Sequence, residues 1–131
     1  MFCKVFIFVV SLCETFVYLP YMKIHLIKKQ SINEYVKINV QSKTAFESWF
    51  EIIKWVEWNE SNDIIATFNS ADILGKSSGR IVFNIGGNKY RMICSYHFGK
   101  QKVHLFVKWI GTHAEYTKLC NDGKQYSVNA Y

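Results

Sequence analysis

The feature that most constrains this chain is a change of period after the loop at residues 75–79, Gly75-Lys76-Ser77-Ser78-Gly79. Beyond it, three runs alternate apolar and polar residues in twos: RIVFNI (80–85), NKYRMICSYHF (88–98) and KVHLFVKWI (102–110). Gly86-Gly87 and Gly99-Lys100 separate them as tight turns, and Gly111 ends the last. Three consecutive strands joined so closely predict an antiparallel meander. One of its faces must be covered, because a single sheet cannot bury both.

The cover comes from the first half, where apolar residues recur at helical spacing. Phe46, Trp49, Phe50, Ile53 and Val56 form one stripe, with Lys43, Glu47, Glu51, Lys54 and Glu57 around the rest. Ser42 is the expected start of this helix, and the stripe reads as core rather than a binding box. A shorter helix is expected after Ser31, which has capping-box spacing to Glu34. SNDIIATF (61–68) reads as a third helix capped by Ser61, and MKIHLI (22–27) as a strand or a lead-in to a helix. Helices packed on one face of a meander make an α+β domain. At 131 residues and half hydrophobic, the chain is long and apolar enough for one such core.

Charge is unevenly placed. From Lys76 onward nine basic residues face two acids, Glu115 and Asp122, whereas from Met22 to Gly75 six lysines face seven acids. Alternation puts Arg91, Ser95 and His97 on one face of the middle strand, opposite Tyr90, Met92, Cys94 and Tyr96. In the last strand Lys102, His104, Phe106 and Lys108 oppose Val103, Leu105, Val107 and Trp109, unless a bulge swaps the sides. A cationic, unshielded sheet face suits a polyanion such as RNA; a merely solvated basic surface is the bland alternative.

The same residues limit the chemistry. Asp72 and Glu115 are the only acids near the strands besides Asp122, which disfavours two-carboxylate and two-metal hydrolysis. Cys3, Cys13, Cys94 and Cys120 have no metal-ligand or disulfide-framework spacing, so neither metal nor cofactor is expected. His, Tyr, Lys and Arg remain, a set suited to metal-free RNA cleavage. There a base takes the 2′-OH proton, cations stabilise the phosphorane and an acid protonates the leaving 5′-oxygen. Only Arg grips phosphate bidentately, and both arginines, Arg80 and Arg91, lie among the strands.

FNSADILG (68–75), RIVFNIGGNKYRMI (80–93) and IGTHAEY (110–116) resemble the HigB-type toxins of bacterial toxin–antitoxin modules, within the wider RelE-like mRNA interferases. The resemblance runs from Met22 to about Leu119 and leaves the tail, residues 120–131, unassigned. It implies a small antiparallel sheet with N-terminal helices. It also implies a ribosome-dependent endoribonuclease that cuts mRNA in the A site without metal, leaving a 2′,3′-cyclic phosphate or 3′-phosphate. The implied partners are mRNA, the ribosome and a HigA-like antitoxin with a helix-turn-helix domain. On this resemblance Arg91, after Tyr90, is the phosphate-binding arginine, or else a surface arginine on a strand. His113 is a general acid or base, or else a loop histidine. Tyr116 stacks on a base, assists proton transfer or simply packs on the sheet. Arg80, Asn84, Lys89, Lys102 and Lys108 are candidate RNA contacts, although Asn84 could serve the Gly86-Gly87 turn instead. His97 and His104 read as solvated strand histidines, and the general base stays unassigned.

Two other readings compete: a non-catalytic RNA- or ribosome-binding module on the same fold, and a membrane-anchored or secreted basic protein. The last depends on MFCKVFIFVVSLCETFVYLPY (1–21), which has the apolar run of a signal peptide without its cleavage site and barely the length of a membrane span. A ribosomal target favours an over-extended start, with Met22 as the true one, no membrane and a cytoplasmic location.

Overall fold

The computed structural model describes residues 23–75 and 77–131, so the reading of residues 1–21 as an extension lies outside the described residues. The element order is β1 (Lys23–Ile27), α1 (Lys29–Ile38), a 3₁₀ turn (Val40–Ser42), α2 (Lys43–Ile53), α3 (Ser61–Thr67), β2 (Asp72–Leu74), β3 (Arg80–Ile85), β4 (Tyr90–Phe98), β5 (Lys102–Thr112) and α4 (His113–Asn121). This is the α+β fold expected, with the meander β3–β4–β5 at its centre.

Two strands extend the meander. The sheet order is β1-β5-β4-β3-β2, with β1 parallel to β5 and β2 antiparallel to β3. The KIHLI part of the MKIHLI segment, Lys23–Ile27, is therefore a strand. It lies beside the last strand because α1 and α2 carry the chain back across the sheet, the crossover that parallel pairing requires. The ADILG block supplies β2, three residues at the edge.

The helices cover one face, as their stripe requires. Ile32, Phe46, Trp49, Ile53, Trp58 and Ile64 bury against Ile81, Phe83, Ile85, Met92, Cys94, Leu105 and Val107. Rings interlock at the centre: Trp49 and Phe68 each meet Phe83 edge-on, at centroid distances of 5.2 and 5.3 Å. Trp58 also donates its indole N–H to Thr67 Oγ1 at 2.9 Å, which joins the loop after α2 to α3.

Helix starts differ from the sequence pattern in two places. α1 begins at Lys29, after Lys28 in the left-handed conformation, and Ser31 is buried inside its first turn rather than capping it. The cap of α3 is Glu60, not Ser61; the Asp63 carboxylate reaches back to the backbone N–H groups of Asn59 and Glu60 at 2.7 and 3.1 Å. Ser42 does precede α2, as expected.

One bulge decides what the second face looks like. Ile93 pairs with Trp109 and Cys94 with Val107, so Lys108 is an extra residue in β5. The insertion turns Trp109 away from the helical core and sends Ile110 into it, which reverses the expected side for Trp109. Trp109 then joins Leu74, Val82 and Ile93 in a smaller apolar patch on the second face, covered by Tyr116 and Leu119 of α4 and by Val128 of the tail. The second face is thus shielded where α4 and the tail pack on it, and the bare cationic cradle expected from alternation is confined to the rest. The tail is tied down: Arg80 Nη1 donates to the carbonyls of Val128 (2.7 Å) and Gln125 (3.4 Å), and the Ala130 N–H donates to the Lys108 carbonyl (2.8 Å).

Candidate active site

On the second face, register sets Asn84 of β3 beside Arg91 of β4 and Gly111 of β5. In the adjacent row Asp72 of the edge strand lies beside Val82. The chain leaves β5 through Thr112 straight into α4, which folds back over these rows. A cleft of about 330 Å³ results, lined from the sheet by Asp72, Asn84 and Arg91 and from the helix by His113, Tyr116 and Cys120.

Arg91 is 7% exposed, unusual for an arginine. Its Nη2 donates to Asn88 Oδ1 at 2.7 Å and its Nη1 to the Tyr90 carbonyl at 3.1 Å. None of the ion pairs among the described residues involves it. A guanidinium has five N–H groups in a planar fork, so this one is held in place with donors left over for an anion. Gly86 and Gly87, both with φ of 67°, open the four-residue turn that presents Asn88.

His113 is the first residue of α4 and is exposed. Its backbone is fixed twice: its N–H donates to the Lys89 carbonyl at 2.9 Å, and Thr112 and Glu115 form a reciprocal capping box. In that box the Thr112 N–H donates to Glu115 Oε1 at 2.8 Å and the Glu115 N–H to Thr112 Oγ1 at 3.2 Å. Gly111 makes this possible, since a Cβ there would overlap the Trp109 ring and the Glu115 carboxylate.

Tyr116 follows one turn later on the same side of α4, its ring 6.1 Å from that of Trp109. Burial raises its hydroxyl pKa above the ordinary value; the hydrogen bond and charge interaction with Cys120 and the Asp72 carboxylate raise it further, against the opposing pull of Arg91. The phenol is therefore a proton donor at neutral pH, not a base.

Arg91, His113, Tyr116 and Asn84 are thus brought together, with Lys89 exposed on the adjoining turn. The other candidate contacts lie elsewhere. The Arg80 guanidinium is committed to the carbonyls of the tail. Lys108 sits at the bulge with Nζ 3.5 Å from Asn129 Oδ1, and Lys102 lies at the far end of β5 beside Lys23. Sequence reasoning missed Asn88, which carries no signal of its own, and the entry of Asp72 into the cleft, which depends on an edge pairing. It also missed α4, although Thr112-x-x-Glu115 has capping-box spacing. A second concavity of about 330 Å³ beside α4, lined by Trp109, Lys118 and Asp122 among others, holds neither histidine nor arginine.

Residues 42–119 match the family model described as HigB toxin, RelE-like toxic component of a toxin-antitoxin system. The chain is also 28% identical over 95 residues to the mRNA interferase HigB of Escherichia coli O6:H1 (strain CFT073), an alignment covering 72% of this chain and 90% of that relative. Among the described residues no helix is long and apolar enough to cross a membrane. With the matched segment carrying Asp72, Asn84, Arg91, His113 and Tyr116 of the cleft, the chain belongs to the HigB toxin family, the toxic components of toxin–antitoxin systems.

Proposed function

We propose that the protein is an mRNA endoribonuclease that acts on ribosome-bound message and is held inactive by a HigA-like helix-turn-helix antitoxin in the cytoplasm. The observation that carries this reading is the convergence in one cleft of a fixed guanidinium, an imidazole and a protonated phenol. The kinship with an mRNA interferase supports it.

In this reading Arg91 grips the scissile phosphate and offsets the charge of the phosphorane. The 2′-oxygen attacks phosphorus, its proton passes to a base, and the bond to the 5′-oxygen breaks. That oxygen takes a proton from an acid, leaving a 2′,3′-cyclic phosphate. Tyr116, held protonated, fits the acid or a donor to the phosphoryl oxygens. His113 and Asp72 are the groups of the cleft able to take the 2′-proton. Asn84 and Lys89 position the strand. No step needs a metal.

The test is cleavage of a defined message on purified ribosomes, with products mapped at their 3′ ends. Cutting with a cyclic or 3′-phosphate terminus, abolished in Arg91→Ala and His113→Ala, is expected. A chain that bound ribosomes tightly but left the message intact would be a binding module on the same surface.

A further inference from the structure

Three of the four histidines in the chain form one row across the sheet. His25 of β1 pairs with His104 of β5, and His104 pairs with His97 of β4. All three point to the second face, since each shares it with the face's other residues two positions along: Ile27, Phe106 and Ser95. The row lies at the end of the face that α4 leaves open. His97 stands six residues from Arg91 along β4, about 20 Å at 3.3 Å per residue, so this cluster is separate from the cleft.

The rings already meet. His25 Nδ1 lies 3.1 Å from His104 Nδ1, and the two rings stand edge to face with centroids 5.2 Å apart. The His97 ring stacks on His104 at 6.2 Å with an interplanar angle of 20°. In an Nδ1–Nδ1 hydrogen bond one ring gives the proton and the other must be neutral. Two nitrogens on one tetrahedral zinc, each at 2.0–2.1 Å, stand about 3.4 Å apart, and about 2.9 Å apart at a right angle. The observed separation falls between these, so the two nitrogens are spaced to share a cation once each ring turns by about 40° from the N···N line.

Space around the pair is also arranged. Gly99, in the β4–β5 turn, is close enough that a Cβ there would stand 3.3 Å from His104 Nε2. Any larger residue would press on that ring. In the next row Lys23 is engaged with Glu57 at 3.4 Å, and Lys102 is exposed. Among the described residues no group of three or more ligating side chains is gathered closely enough to hold a metal as it stands. The preformed part is therefore the pair, and His97, exposed and stacked on His104, completes it by rotating.

We propose that His25, His104 and His97 form a binding site for a borderline divalent transition ion such as Zn²⁺, Ni²⁺ or Cu²⁺, with water filling the remaining positions. Imidazole ligands without thiolate or carboxylate select this class over Mg²⁺ or Ca²⁺. The ion clips β1, a five-residue edge strand, to β5, which leads into α4, and to β4, which carries Arg91. It takes no part in the chemistry there.

The test is a titration of the full chain with Zn²⁺, followed by calorimetry and thermal unfolding. One ion per chain and a rise in Tm of more than about 3 °C are expected, since a ligand of the folded state stabilises it by mass action. His25→Gln and His104→Gln should each weaken binding by at least the roughly tenfold that even outer-shell partners cost at metal sites. His97→Gln should weaken it less. His25 and His97 are exposed and His104 is half-buried, so the His25→Gln and His97→Gln variants should match the wild-type Tm without metal, and cleavage of ribosomal message by all three should be unchanged. Equal binding by the His25→Gln/His104→Gln double variant would overturn the proposal. So would binding that survives in that variant and disappears in His113→Gln, which would put the ion in the cleft. Because metal binding is read directly, failure here leaves the nuclease reading standing, and failure of that reading leaves this one.

Discussion

On one face of the sheet the rows read Phe83 beside Met92 beside Ile110; one residue along on each strand, on the other face, they read Asn84 beside Arg91 beside Gly111. The first row is buried beneath three helices and a cluster of rings. The second lies beneath one nine-residue helix that buries no residue completely. The same three strands therefore supply the stability of the domain from one side and the floor of its candidate site from the other. Burial of large apolar groups is the dominant favourable term in folding, so the first face can hold the sheet rigid while the second carries polar groups.

If the faces divide in this way, substitutions should separate activity from stability. Arg91→Ala and His113→Ala should lower the cleavage rate by about 10²–10⁴-fold, the range for a lost acid–base or charge-stabilising group, with Tm nearly unchanged for His113→Ala. Arg91→Lys should recover little, because an ammonium cannot form the planar fork. Full toxicity in both alanine variants would remove the cleft from the mechanism. Phe83→Ala on the other face should cost about 3–5 kcal/mol of unfolding free energy in denaturant titration while the folded fraction keeps its cleavage rate.

Gly111→Ala and Thr112→Ala probe the joint between the faces. The first forces a methyl group against Trp109 and Glu115 and should cost about 1–3 kcal/mol. The second removes the cap of α4 and should cost about 1 kcal/mol. Both should slow cleavage more than their effect on Tm suggests, because His113 follows directly after these two residues. A rate that simply followed the folded fraction would show that α4 does not position the site.

The smallest effect lies at high pH. Burial, with Glu115, Tyr90 and Tyr131 adding, pushes the Tyr35 hydroxyl from 10.0 up to about 12. The folded state then holds a proton that the unfolded chain has released, so stability should fall as pH rises from about 10 to about 12. Tyr35→Phe should flatten that part of the pH–stability curve; an unchanged slope would mean Tyr35 titrates normally.

Much of this was legible in the sequence, and the gaps have physical causes. The alternating runs and glycine turns marked β3, β4 and β5, and the Phe46–Trp49–Ile53 stripe marked α2. The partners of β1 and β2 were hidden because edge pairing and parallel pairing are made between segments far apart in the chain. α4 escaped notice because it buries no residue completely and lacks a strong apolar stripe. Arg91, His113 and Tyr116, which line one cleft, were singled out on the family resemblance. That Arg80 would be spent on the tail was not, since two arginines on neighbouring strands look alike until the chain's last residues are placed.

The single extra residue at Lys108 has a consequence for how this chain can change length. A strand sorts its side chains by odd and even, and the bulge switches that parity once, three residues before Gly111. Deleting Lys108 would remove the bulge and restore strict alternation while leaving Val107 and Ile110 in the helical core and Trp109 on the second face. Deleting two residues between Phe106 and Trp109 would instead make these two neighbours, which must point to opposite faces, and exchange Trp109 with Ile110. The chain would then emerge from β5 facing the three-helix core, with His113 on the wrong side of the sheet. The strand therefore tolerates the loss of its one extra residue, and a two-codon deletion there should be as disabling as the loss of Arg91 itself.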